Sequence, residues 1–452
     1  AGSPPNLLSP PPGCRFQPRC ADAMPECAVV QPPIYRVGGS EVRCLLYRQV
    51  EAGAGSLAGR TVRERGDGAG IVGAGPQTVS PPEPLAQTSG APLSAPQPVG
   101  DAEPELPLLE VSGLSRNFGV RGFWSKKLLH AVDDVSFTIG RREIVALVGE
   151  SGSGKSTIAQ LLAMVYRPTS GEVRFDGKPV GAIKRRRAKL AYRGEVPMVF
   201  QDPYSAINPS YQVSHGIMRA IKLHRRDLHA STQRSEATRV MEAVGLEPAE
   251  AMLAKYPYEL SGGQRQRIGF AQALVLRPKL ILADEPVSML DVSIRVGVLN
   301  LMAELREREG VSILYITHDL ASARYIADRI IVMYAGHVIE VGPTEQLLAA
   351  PRHPYTKLLL SAVPDPRAPL DESGTSDAGE PPKVVNPKPG CRFEPRCPYA
   401  IEECRSVTPR LGEVAPSQLA ACHVALSEAR TRNLVSASAT GEAASPSAAA
   451  ST

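Results

Sequence analysis

Nine residues constrain this chain more than any others: Gly149-Glu150-Ser151-Gly152-Ser153-Gly154-Lys155-Ser156-Thr157, set directly after the apolar run Ile144–Val148. A glycine-rich turn between a buried strand and a helix lets successive backbone N–H groups converge on phosphate oxygens. The helix N-terminus adds positive potential, Lys155 neutralises the outer phosphates and Ser156 offers Mg²⁺ a hydroxyl ligand. Such a strand, loop and helix commit the chain to an α/β fold. Further short apolar runs at 196–200, 280–283, 313–316 and 330–333 alternate with helix-length amphipathic segments, the pattern of a mostly parallel sheet.

Composition limits what surrounds that domain. The 452 residues include 42 prolines, most of them outside the run 106–364. Residues 51–105 lack any aromatic residue and carry six prolines between Pro81 and Pro98, which predicts a disordered linker. Residues 365–390 predict a second linker, opening a C-terminal extension over 365–424. Residues 425–452, rich in Ala, Ser and Thr, predict a frayed tail. A net charge of +5 is too weak to argue for nucleic acid, and the basic run 184–187 has no interleaved aromatics and predicts a solvated face. No run of eighteen apolar residues and no leader pattern occurs, so the expectation is a cytosolic protein that does not span a bilayer.

Two further motifs belong with the phosphate loop. The run 280–283 ends in Asp284-Glu285, which sets Asp284 beside the metal and Glu285 beside the terminal phosphate, to polarise an attacking water. Ser261-Gly262-Gly263-Gln264, by itself only a helix cap, here makes a second phosphate cradle. With Gln201 upstream and His318 after the next strand, the set resembles ABC-type ATPases over 108–345. The resemblance implies a RecA-like core, an antiparallel β subdomain and a helical subdomain. It makes Gln201 the sensor of γ-phosphate and Mg²⁺, His318 the switch histidine and Asp291 the loop aspartate that communicates between two ATPase units. Met289 stands where the family usually has alanine, which puts that loop's packing in question. Each ATP would be enclosed by the phosphate loop of one unit and the signature of another, so a second ATPase unit is implied. Phe118 is the candidate to stack on adenine, with Phe123 and Trp124 as rivals.

The segments 201–209 (Gln-Asp-Pro-Tyr-Ser-Ala-Ile-Asn-Pro) and 352–356 (Arg-His-Pro-Tyr-Thr) are similar to oligopeptide and dipeptide importer ATPases. That branch implies two transmembrane permease subunits, an extracytoplasmic solute-binding protein and a peripheral position on the cytoplasmic face of the membrane. Nickel importers share the machinery. A soluble iron–sulfur ABC ATPase acting on ribosomes is the alternative of another class, although its cysteine runs are tighter than those found here.

All eight cysteines lie in two matching elements, Cys14, Cys20, Cys27 and Cys44, and Cys391, Cys397, Cys404 and Cys422, with nearly equal separations. Residues 13–28 and 390–405 are identical at ten of sixteen positions. Four thiolates suit zinc or an iron–sulfur cluster, and spacings wider than those of zinc modules, with the resemblance, favour [4Fe–4S]. Unliganded thiols remain open, and disulfides are disfavoured in a reducing compartment. Since the family carries this element after its catalytic domain, residues 1–50 are expected to be the tail of another ATPase unit.

Overall fold

The computed structural model describes residues 13, 14, 20, 23–37, 40–47, 106–121, 126–202, 207–362 and 384–440. The predicted linker 51–105, the rivals Phe123 and Trp124, and the last twelve residues of the predicted tail lie outside them. The chain divides into two units, Ala1–Gln97 and Pro98–Thr452.

In the first unit, β1 (Tyr35–Val37) and β2 (Ser40–Val42) form an antiparallel hairpin. The second unit opens with the long strands β3 (Leu109–Arg121) and β4 (Lys126–Ile139), then β5 (Ile144–Val148) and helix α1 (Lys155–Leu162). Next come β6 (Ser170–Phe175), β7 (Lys178–Pro179), α2 (Arg186–Glu195) and β8 (Met198–Val199). Helices α3 (Val213–His224), α4 (Ala230–Ala243), α5 (Ala249–Ala254) and α6 (Gly262–Leu274) precede β9 (Leu280–Asp284). The order continues with α7 (Val292–Glu309), β10 (Ser312–Thr317), α8 (Leu320–Ile326), β11 (Arg329–Tyr334) and β12 (His337–Pro343). It closes with α9 (Thr344–Ala349), α10 (Pro354–Ser361), α11 (Glu403–Ser406), β13 (Gly412–Ala415), β14 (Gln418–Ala420) and α12 (His423–Thr440).

The main sheet runs β13-β14-β12-β11-β5-β10-β9-β8, with β11, β5, β10, β9 and β8 mutually parallel. Strand β5 explains its continuous apolar run, because both faces are covered. Ile144, Ala146 and Val148 join a core shared with α3 to α7, while Val145 and Leu147 join a second core with β3, β4 and α1. The antiparallel sheet β4-β3-β6-β7 covers that second face. Helices α3, α4 and α5 pack on one another as a helical layer, with Val213, Ile217 and Ile221 of α3 buried at helical spacing.

Two departures from the sequence reading concern the C-terminus. The cysteine-bearing extension belongs to the same unit as the ATPase core, and β14 pairs with β12 through Glu340–Ala420 and Val341–Leu419. Residues 425–440, expected within a frayed tail, continue α12, whose Ala425 and Ala429 are buried against Val414, Ala420 and Cys422. The basic run 184–187 is exposed at the start of α2.

Candidate active site

Strand β5 delivers the phosphate loop to the edge of a cavity of about 1010 Å³. The loop needs its glycines for space. A Cβ on Gly149 would stand 2.3 Å from the Met333 carbonyl oxygen, and one on Gly154, at φ +102°, 2.2 Å from that of Ala131. Lys155, at the start of α1, is buried and donates to the carbonyls of Gly149 (2.7 Å) and Glu150 (2.8 Å). Burial lowers its pKa, and the nearby carboxylates of Glu285, Asp284 and Glu150 work in the opposite direction.

Strand β9 brings Asp284 to within 3.1 Å of the Ser156 hydroxyl, which donates to its Oδ1. Burial raises the Asp284 pKa, the Ser156 hydrogen bond opposes that, and Glu285 reinforces it. Glu285 holds φ +44°, a left-handed conformation for a residue with a side chain. Its Oε2 accepts from the Gln201 amide at 3.0 Å and its Oε1 lies 3.3 Å from Nδ1 of His318. Gln201, Glu285 and His318 therefore form one cluster, and all three line the cavity together with Ser151, Gly152 and Thr157. Ser153 packs beneath, its Oγ 3.4 Å from the Lys155 ammonium. Phe118 lines the same cavity with Leu129 and Val384, and meets Tyr166 edge-on at 5.3 Å.

The signature lies elsewhere. Ser261 caps α6, its Oγ accepting from Gln264 N–H at 3.2 Å while Gln264 Oε1 accepts from Ser261 N–H at 3.0 Å. A Cβ on Gly263 would meet Ile294 at 2.3 Å, so this glycine seats α6 against α7, and Gly262 beside it is partly exposed. None of the four signature residues lines the phosphate-loop cavity. Asp291 precedes α7 on the surface, and Met289 is 61% exposed, so the residue that departs from the usual alanine makes no demand on packing within the chain.

Residues 132–288 match the family described as "ABC transporter", and residues 1–27 and 339–404 match "Oligopeptide/dipeptide transporter, C-terminal region". The chain is 42% identical to a probable peptide ABC transporter ATP-binding protein of Sinorhizobium fredii, over 70% of this chain and 90% of the relative. It is likewise 42% identical to a putative oligopeptide transport ATP-binding protein of Bacillus subtilis, covering 71% and 96%. The chain belongs to the peptide-transporter family of ABC ATPases. It is an ATP-hydrolysing ABC domain, with RecA-like, antiparallel and helical parts.

In this ABC ATPase the His-Pro-Tyr segment serves the chain's own interior. His353 caps α10, its Nδ1 accepting from Tyr355 N–H at 3.0 Å, and buried Glu340 accepts from the N–H groups of Arg352 and His353 and from the Gln418 amide. Tyr355 reaches the phosphate loop, its hydroxyl accepting from Glu150 N–H at 3.0 Å. Arg396 reaches the same residue through Glu150's carboxylate, at 3.2 and 3.3 Å. Reading the sequence missed these contacts. The signals were present, in a tyrosine three residues past the cap-side arginine of one motif and an arginine of the cysteine repeat, but neither announces what it touches.

The two cysteine elements share a local construction. Cys14 N–H donates to the Cys27 carbonyl at 2.8 Å, and Cys391 N–H to that of Cys404 at 2.7 Å. The glycine before each first cysteine is required there: a Cβ on Gly13 would lie 2.3 Å from the Cys27 oxygen, and on Gly390 2.9 Å from that of Cys404. An antiparallel hairpin follows in each, and Cys44 and Cys422 stand two residues beyond its second strand. All eight are free thiols. Burial pushes Cys391 up to about 11, with Cys404, Cys422 and Cys397 adding to the shift. Burial likewise raises Cys397 and Cys422, each also feeling Cys404. Among the described residues no three His, Cys, Asp or Glu side chains are arranged to hold a metal ion.

Proposed function

We infer that this ABC ATPase hydrolyses ATP to energise peptide import, as a peripheral subunit on the cytoplasmic face of the cytoplasmic membrane. Two transmembrane permeases, a second ATPase unit and an extracytoplasmic solute-binding protein complete the assembly. The observation that carries the reading is Glu285 held between Gln201 and His318 at the edge of the phosphate-loop cavity, in a chain that also matches the peptide-transporter C-terminal region. Among the described residues no helix is long and apolar enough to cross a membrane. A groove of about 250 Å³ opens beside Gln201, lined by Phe200, Ile207, Gly216, Gln272 and Leu276, and it offers a permease helix an apolar seat.

The residues divide the chemistry. The loop N–H groups and Lys155 hold the phosphates, and Phe118 offers its ring to the adenine. Ser156, Asp284 and Gln201 would supply oxygen ligands to Mg²⁺, which when bound would neutralise charge on the phosphates. Glu285 polarises the water that attacks the γ-phosphorus and draws its proton. The P–O bond to ADP breaks, and the electrons leave on the ADP oxygen. His318 and Gln201 fix the Glu285 carboxylate for that role. Glu285→Gln is expected to bind MgATP with affinity near that of the unaltered chain and to lose hydrolysis by at least ~10²-fold. Retained turnover would remove Glu285 from this role.

The finer reading is that Cys391, Cys397, Cys404 and Cys422, and in the other element Cys14, Cys20, Cys27 and Cys44, each hold a [4Fe–4S] cluster, with zinc as the rival occupant. Burial raises the pKa of Cys391, Cys397 and Cys422, with neighbouring thiols adding to the shift, and a cationic centre among these side chains would favour their thiolate forms. The role is structural, since ATP hydrolysis requires no electron transfer.

A further inference from the structure

A site built to receive phosphates contains a carboxylate of its own. Glu150 is the second residue of the phosphate loop, lines the cavity, and lies close enough to Lys155 to act on its ammonium. Left ionised and unpaired, it would repel an incoming triphosphate and compete for Lys155. Arg396 answers it with a two-pronged contact: Nη1 donates to Oε2 at 3.2 Å and Nη2 to Oε1 at 3.3 Å. The guanidinium is itself confined. Its side chain is 12% exposed, it donates to the Tyr334 hydroxyl at 3.3 Å, and it stands 5.7 and 5.8 Å from the ring centres of Tyr334 and Phe393. Tyr334, Tyr355 and Phe393 pack against one another with ring centres 4.6 to 5.6 Å apart, and Tyr355 takes the Glu150 N–H. Glu150 is thus held at its backbone by α10 and at its carboxylate by the cysteine-bearing extension.

We propose that Arg396 is a positioning residue for ATP: by neutralising Glu150 it fixes the phosphate loop and makes the extension a working part of the nucleotide site. The same arginine directly precedes Cys397, so the order of the cysteine element is transmitted to the loop through one side chain.

The test is titration of the full-length chain with a fluorescent ATP analogue in the presence of Mg²⁺, beside the steady-state KM for ATP. Arg396→Gln leaves the carboxylate uncompensated and is expected to weaken binding about tenfold, with KM rising and kcat nearly unchanged. Glu150→Gln removes the negative charge from the cavity lining and leaves the Arg396 guanidinium uncompensated behind the loop, and is expected to tighten binding about twofold or more. The double variant returns to within about twofold of the unaltered chain, a rescue that lost packing alone would not give. Unchanged or weaker binding by Glu150→Gln overturns the proposal, as does a double variant as weak as Arg396→Gln. Glu150→Gln is nearly isosteric and decides the question by itself if Arg396→Gln does not fold.

Discussion

Side chains at this site are placed by what they cannot do elsewhere. Glu285 accepts a left-handed backbone so that its carboxylate stands between Gln201 and His318, whose side chain is 57% exposed. His353 shows the opposite arrangement, a histidine with no access to solvent. It is 1% exposed, and burial pushes its pKa down to about 3. The folded chain holds it neutral while the unfolded chain protonates it below about pH 6.5. Between those two values the unfolded state binds the extra proton, so stability falls as pH falls, by about 1.4 kcal/mol per unit from this group. Asparagine can cap a helix without titrating. His353→Asn is therefore expected to flatten the dependence of Tm on pH between roughly 6 and 4, read by thermal melting of both chains; parallel curves would show that His353 is not the titrating group.

Elements were legible where burial is two-sided. The runs at 144–148, 280–283, 313–316 and 330–333 became central strands because helices or the antiparallel sheet cover both their faces, leaving no position for a polar residue. The phosphate-loop residues, Asp284, Glu285 and His318 stand at the ends of those strands, which brings them together as the resemblance to ABC-type ATPases implied. The C-terminal extension was not legible as a sheet edge because its anchor is polar. Gln418 and Glu340 are both fully buried and bond each other at 2.8 Å, a pairing that leaves no apolar period. Helix α12 escaped for a related reason: Ala425 and Ala429 bury small side chains by close approach, which composition reads as a tail. The cysteine reading is tested on this element. Full-length chain purified without oxygen is expected to carry iron and acid-labile sulfide in equal amounts, both about halved in Cys397→Ser and Cys422→Ser, because the first element keeps its own cluster. Stoichiometric zinc would replace the cluster by the rival ion, and neither metal would leave four thiols held by packing alone.

At the scale of the molecule, the phosphate loop and the signature face different surroundings. Glu150 to Gly152 and Gly154 to Thr157 border the cavity with Glu285 and His318, whereas Ser261 caps α6 away from it. The Ser261 oxygen accepts from Gln264 N–H, which leaves its hydroxyl proton free to donate to a phosphate supplied from outside this chain. Close by in sequence, Met289, Val292 and Val296 expose apolar side chains around Asp291, at 61, 74 and 43%. Three exposed apolar residues beside a carboxylate suit a surface that another protein covers. A second ATPase unit would cover that surface and bring its own nucleotide to Ser261. Sedimentation of the full-length Glu285→Gln chain tests this, because blocked hydrolysis preserves whatever assembly ATP promotes. MgATP is expected to convert it to a species of twice the mass, and Ser261→Arg in the same background to keep it at single-chain mass by filling the cradle with a long cationic side chain. Association that ignores both ATP and Ser261→Arg would place the second unit's contacts somewhere other than the signature.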